Sequence, residues 1–188
     1  MLNHKLILAS ASPRRAQLLK DAGFEFEVRI SNVEEVFPYD LKSVEIPVFL
    51  SKLKTNALLG NAANDELFIA ADTIVYLNGK VLNKPVNRDE ASLMLQKLSG
   101  HKHEVITGVT LANLNKSTSF YDLTEVYFKK LNSSEIDFYI DNFKPFDKAG
   151  SYGIQEWIGM IGVEKINGSF YNVMGLPVHK LYEELHKF

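Results

Sequence analysis

Apolar and polar positions along this chain switch repeatedly between two periods, and the switches mark out its elements. Residues 6–9 form a short unbroken apolar run, the pattern of a buried strand. Ser12 is a good helix N-cap and Pro13 a good first helical residue, so a helix is predicted from there to about Ala22, ended by Gly23. Residues 24–30 alternate like a strand. A polar stretch over 31–42 follows, with Pro38 and the adjacent pair Glu34 and Glu35. Phe49, Leu50, Leu53 and Ala57 recur at helical spacing and predict a helix ending near Gly60.

Residues 67–71 are apolar and read as a central strand, with Asp72 and Thr73 at its end. The run 75–82 predicts a hairpin, because Asn78-Gly79 supplies the two positive φ angles of a type I′ turn. Asn87 with Glu90 resembles a capping box, and Ala91, Met94, Leu95 and Leu98 make one apolar helix face that Gly100 should stop. Residues 105–114 and 120–131 read as long strands. Ser133 or Ser134 opens a helix to about Phe143. Residues 161–166 and 170–174 flank Asn167-Gly168 and predict a second hairpin, before a final helix over 177–186. Strands and helices mix, so the expected class is α/β or mixed α+β, a long mixed sheet with helices packed around it.

Composition narrows the picture. The chain has 188 residues, enough for one large domain or two small lobes. With 21 basic and 23 acidic residues the formal net charge is −2, which argues against a surface built for non-specific nucleic-acid binding. There is no cysteine, so disulfides, thiolate catalysis and cysteine-based zinc sites are excluded. The apolar runs are too short to span a bilayer, and the first ten residues lack the apolar stretch of a signal peptide. The expectation is a cytoplasmic protein.

The candidate chemistry sits at junctions between apolar segments. Ser10, Ser12, Arg14 and Arg15 follow the first strand and open the first helix. Helix N-terminal N–H groups favour anions, and arginine forks bind phosphate in bidentate geometry. From spacing alone the run fits a capped helix with solvated arginines equally well. It is not a P-loop, since no G-x-x-x-x-G-K-[ST] pattern occurs. Asp72 ends an apolar strand, where α/β enzymes tend to place chemistry, although in isolation it reads at least as well as a turn residue. Lys84 precedes Pro85, which would aim it more firmly than an average lysine. Lys54 alone reads as a solvated helix residue. His101 and His103 could share a strand face, but with no third histidine nearby the favoured reading is an exposed loop pair. The segment 149–157 reads as a loop that is either flexible with an aromatic anchor at Tyr152, or brings Gln155 close to a flat ligand.

Taken together, ASASPRR, the Glu34-Glu35 pair, AADT at 70–73, LNKP at 82–85, DKAGSYGIQ at 147–155 and INGSFYNVMGLP at 166–177 resemble the Maf-type nucleoside triphosphate pyrophosphatases, in order and over nearly the whole chain. The resemblance implies an inosine-triphosphatase-like fold, an elongated mixed sheet flanked by helices with two lobes and a cleft, making a single Maf-like pyrophosphatase domain over 1–188. It implies hydrolysis of a nucleoside triphosphate to monophosphate and pyrophosphate, a divalent cation (Mg²⁺ or Mn²⁺), and a homodimer with neither membrane nor nucleic-acid partner.

The family's motif residues fall on Ser10, Arg14, Arg15, Glu35, Lys54, Asp72, Lys84 and Gln155. On that basis Asp72, Glu35, Lys54 and Lys84 are expected to be catalytic, with Glu35 and Asp72 on the metal and Asp72 as general base. Ser10, Arg14, Arg15, Thr73 and Gln155 are expected to bind substrate. The set Arg14, Thr73 and Gln155 resembles the dTTP/UTP subgroup, possession of which points to pyrimidine triphosphates, modified ones included. The alternatives are a purine or methylated-purine pyrophosphatase on the same scaffold, and a nucleotide- or nucleic-acid-binding regulator of cell division. The chain departs from the family pattern in two places: Thr55 stands where alanine is more frequent, and Glu156-Trp157 follows Gln155 where a small residue is common.

Overall fold

The computed structural model describes residues 4–188. In chain order the elements are β1 (Lys5–Leu8), α1 (Pro13–Asp21), β2 (Phe26–Val28), α2 (Glu45–Leu59), β3 (Glu66–Leu77), β4 (Lys80–Leu82), α3 (Arg88–Leu98), β5 (Lys102–Ala112), β6 (Ser117–Phe128), α4 (Ser133–Phe143), a 3-10 turn (Ala149–Ser151), α5 (Trp157–Gly162), β7 (Val163–Asn167), α6 (Phe170–Met174) and α7 (Val178–Leu185). Seven strands make one mixed sheet in the order β2-β1-β3-β5-β6-β7, with β4 paired to β3. β1 is parallel to both β2 and β3, whereas β3–β4 and β6–β7 are antiparallel. The mixed sheet flanked by helices is the class the residue pattern predicts.

The chain divides into two units. The first holds the residues up to Asp72, Thr107–Asp122 and Gly175–Phe188; the second holds Thr73–Ile106 and Leu123–Met174. β3, β5 and β6 each contribute residues to both. In the first unit the buried apolar set comes from β1, α1, α2, the start of β3 and α7, including Ile7, Leu8, Leu19, Leu50, Phe68, Ile69 and Leu181. α2 lies directly on β5: a Cβ on Gly108 would come within 2.5 Å of the Pro47 carbonyl oxygen, so only glycine allows the approach. Arg29 forks onto Glu66 at 2.7 and 3.0 Å. That bond and a hydrogen bond from the Ala63 N–H hold the Glu66 carboxyl down at about 2.

The second unit is built on one apolar cluster of Val75, Leu77, Leu95, Leu98, Val126, Phe128, Ile136, Tyr139, Tyr152 and Ile158, among others. Asn78 and Gly79 have φ of 48° and 81°, the expected type I′ turn. α4 carries a complete capping box: the Asn132 side chain accepts from the Glu135 N–H, and the Glu135 side chain accepts from the Asn132 N–H.

Three expectations are corrected. Asp72 and Thr73 do not end a five-residue strand. β3 runs unbroken for 12 residues, and they lie in its middle. The polar pair interrupts the apolar run in the sequence, but Asp72 has an ionic partner and the ladder continues. Asn167-Gly168 is not a second hairpin. Residues 157–162 and 170–174 are helical, and β7 pairs with β6. Gly168 has φ of 131° and sits against Thr124, where a Cβ would meet Oγ1 at 2.6 Å, so it turns the chain from β7 into α6. The histidines are not an exposed loop pair either. Both adjoin β5, but His103 is 1% exposed and its Nε2 lies 2.7 Å from the Tyr152 hydroxyl. Among the described residues no group of three or more His, Asp or Glu side chains converges.

Candidate active site

Within the first unit the sequence-predicted residues meet around one ammonium group. Lys54 projects from the third turn of α2 and is 8% exposed. Its Nζ lies 2.6 Å from Asp72 Oδ1 on β3 and 3.0 Å from Glu35 Oε1 in the segment between β2 and α2. Lys54, read alone as a solvated helix residue, is therefore the link between both predicted carboxylates. Glu35, and not its neighbour Glu34, makes the contact, with a side chain 46% exposed. A lysine this buried needs paired charge, because desolvation of an isolated ammonium is costly.

Ser10 and Arg15 form the second part of this site. Ser10 follows β1 and is buried. Its Oγ accepts from the Ser12 N–H and from an Arg15 Nη1–H, both at 3.2 Å, so its own hydroxyl proton remains to donate. Arg15 Nε donates to the Gly175 carbonyl at 2.8 Å, from just before α7. Desolvation lowers the Arg15 pKa from its ordinary value, and Arg14 adds to this, while Asp72 and Glu35 oppose it. The half-buried Arg15 is thus held in place by Ser10 and Gly175 in the field of the same two carboxylates, with half-buried Arg14 beside it at the start of α1. Ser12 does occupy the N-cap position, but its side chain makes no capping bond.

The donor set fits a divalent cation. Glu35 and Asp72 both touch a single Nζ, so one ion with ligand distances of about 2.0–2.1 Å could also draw an oxygen from each. Two carboxylates are few for a site made of protein alone, yet they suit Mg²⁺, which usually completes its shell with water and substrate phosphate.

Thr73, Lys84 and Gln155 belong to the second unit. Thr73 is half-buried in β3, whereas Lys84 and Gln155 are exposed. The Asn83 carbonyl beside Lys84 accepts from the Gly150 N–H at 3.2 Å, so the Lys84 segment is tied to the segment leading to Gln155. The 149–157 stretch is no flexible loop. Gly150, Ser151, Tyr152, Gly153 and Ile154 are all buried, and burial raises the Tyr152 pKa. Trp157 packs on Phe138 with ring centroids 4.7 Å apart, and lies against the unit's core. Thr55 is buried in α2, and its hydroxyl donates to the Lys52 carbonyl at 2.9 Å.

Sequence reasoning missed two contributors. Gly175 was part of a quoted motif, but nothing in its spacing foretold that its carbonyl holds Arg15. Lys148 is 8% exposed and lies 2.7 Å from Asp147 and 3.1 Å from Glu156. Its signal is an adjacent Asp-Lys pair, Asp147-Lys148, leading into a glycine-containing run.

Known proteins resemble the chain over nearly its whole length. The chain is 57% identical over 185 residues to the dTTP/UTP pyrophosphatase of Cytophaga hutchinsonii, covering 98% of this chain and 84% of that one. It is 53% identical over 186 residues to the dTTP/UTP pyrophosphatase of Parabacteroides distasonis, covering 98% and 96%. Among solved structures, a nucleoside-triphosphatase / dITP/XTP pyrophosphatase from Mycobacterium abscessus matches at 13% identity and a TM-score of 0.45, over 69% of this chain and 75% of that one, a likeness too loose to bear on the site. A family model described as Maf-like protein matches residues 5–188, and the chain belongs to that family.

Proposed function

We propose that this protein is a nucleoside triphosphate pyrophosphatase that hydrolyses dTTP and UTP to the monophosphate and pyrophosphate. The observation that carries the reading is its 57% identity, over 98% of its length, to a relative named for that activity. The geometry of the first unit supplies a physical account. Arg14, Arg15 and Lys54 offset phosphate charge and stabilise the charge that develops on leaving pyrophosphate. Ser10 donates to a phosphate oxygen. Lys84 keeps the catalytic role that the family resemblance implies for it.

Asp72 is the general base. It takes a proton from water as the water oxygen bonds to phosphorus, the α–β anhydride bond breaks, and the electron pair departs on pyrophosphate. Lys54 engages Oδ1, which leaves Oδ2 to meet the water. Glu35, with Asp72, would hold a Mg²⁺ or Mn²⁺ ion, which when bound polarises a phosphate oxygen. Arg14, Thr73 and Gln155 select the base. Uracil and thymine present an N3–H donor beside carbonyl acceptors, and a glutamine amide offers the matching acceptor and donor. Cytosine reverses the pattern, and unpaired polar groups would cost about 1–3 kcal/mol.

We further place the protein in the cytoplasm, as a homodimer of single Maf-like domains. Among the described residues no helix is long and apolar enough to cross a membrane. The reading is tested by pyrophosphate release from a panel of nucleoside triphosphates with Mg²⁺ or Mn²⁺. Fast release from dTTP and UTP is expected; release from purine nucleotides alone would overturn the base assignment, and release from none would overturn the reaction.

A further inference from the structure

Gln155 is exposed, yet the turn that carries it is among the most constrained segments of the second unit. The Glu156 N–H donates to the Gly153 carbonyl at 3.0 Å and closes the turn. A Cβ on Gly153 would meet the Gln155 amide nitrogen and the Glu156 carboxyl carbon, each at 2.9 Å, so both side chains fold back over the Gly153 backbone. A Cβ on Gly159 would land on the Ile154 carbonyl, so the first turn of α5 is pressed against the same segment.

Glu156 is where these constraints converge. One carboxylate oxygen is 3.1 Å from Lys148 Nζ; the other accepts from the Tyr139 hydroxyl. That hydroxyl also accepts from the Gly153 N–H at 3.0 Å. Tyr139 is fully buried, and desolvation first, then its bond to Glu156, keeps it protonated and therefore a donor. The result is a closed loop of interactions, from Gly153 to Tyr139 to Glu156 and back along the chain, with Gln155 inside it.

We propose that Glu156 is a positioning residue for base selection: clamped by Lys148 and Tyr139, its carboxylate fixes the turn from which the Gln155 amide meets the pyrimidine. This rests on the assignment of Gln155 to base recognition. A mobile glutamine can turn its amide to suit either pyrimidine edge, whereas a fixed one discriminates.

The test compares kcat/KM for dTTP, UTP and dCTP in the wild type, Glu156→Gln and Tyr139→Phe, alongside thermal unfolding. Glu156→Gln keeps an acceptor for the tyrosine but loses the charge that holds Lys148. Tyr139→Phe removes one hydroxyl with little change in packing, and keeps the test decisive if the first variant folds poorly. Each variant is expected to lower the dTTP-to-dCTP ratio by about tenfold, the scale of one hydrogen bond to a charged group, mostly through KM for dTTP. A purely structural role would lower all three substrates together. Folded variants that keep the wild-type ratio would overturn the proposal. A wild type with no preference for dTTP and UTP would overturn the base assignment itself, and would do so before any variant is made.

Discussion

Each unit holds one buried lysine against two carboxylates, one of them sheltered and the other open to water. In the first, Lys54 meets Asp72, with a side chain 10% exposed, and Glu35 at 46%. In the second, Lys148 meets Glu156 at 19% and Asp147 at 57%. The surroundings differ. The Glu156 carboxylate also takes the Tyr139 hydroxyl, and its turn is packed against glycine backbone. Asp72 acts on Arg15, which has Arg14 beside it and donates to a serine hydroxyl with a proton to give. An ion pair whose oxygens are filled by neighbours braces a fold. One whose field reaches further cations and an unspent donor suits the anion that the proposed function brings.

Substitutions can break that contrast or sharpen it. The largest effect is expected from Asp72→Asn: a fall in kcat of about 10²–10⁴, the usual contribution of a positioned general base, with nucleotide still bound by calorimetry. Near wild-type turnover would remove Asp72 from the chemistry. Lys54→Met should cost about 10²-fold in kcat through lost charge stabilisation. Lys148→Met should leave kcat for dTTP nearly unchanged but lower the dTTP-to-dCTP ratio and cost about 3 kcal/mol in denaturant unfolding, because it strands the partly buried Glu156 carboxylate. Equal turnover losses in the two lysine variants would erase the distinction between the sites. Gly159→Ala should destabilise by about 1–3 kcal/mol through overpacking on the Ile154 carbonyl.

The smallest effects are in pH, and they separate the units. Burial lowers the His103 pKa to about 4, while an unfolded histidine titrates near 6.5. The unfolded chain binds more protons between these values, so stability from the second unit falls as pH drops from about 6.5 through 4. Glu66 in the first unit is lowered to about 2 by Arg29. Its contribution is complete above about 4.5 and is lost as pH falls towards 2. Unfolding midpoints across pH should show the first slope flattened in His103→Phe and the second in Glu66→Gln.

Local chemistry explains which parts of the molecule were legible beforehand. The Asn78-Gly79 turn, the helix opened by Pro13 and the helix faces of α2 and α3 are decided by residues within a few positions of one another. The full length of β3 was hidden because Asp72 is a strand residue only by virtue of Lys54, 18 positions away. The false hairpin at Asn167-Gly168 arose because Asn-Gly is a turn signal whose geometry is overruled by Thr124, which also accepts from the Ser169 N–H at 3.0 Å. His103 looked exposed since no short-range signal announces Tyr152. The candidate site residues were found through a shared motif pattern; what that pattern could not reveal was that Lys54 joins Glu35 to Asp72, or that Glu156 answers to Lys148 and Tyr139.

The unbroken course of β3 has a consequence for hydrogen exchange. β1 pairs with β3 over Glu66–Ile69, and β5 is the other neighbour of β3, so the peptide groups of Leu67 and Phe68 lie in the interior of the sheet ladder, among backbone that opens only when the whole domain does. Phe68 should therefore show an amide among the last to exchange with deuterium, whereas Glu35, in a segment with no regular ladder, should exchange early. The strand that carries Asp72 and the segment that carries Glu35 would then differ by orders of magnitude in local opening, although their two carboxylates close on one lysine.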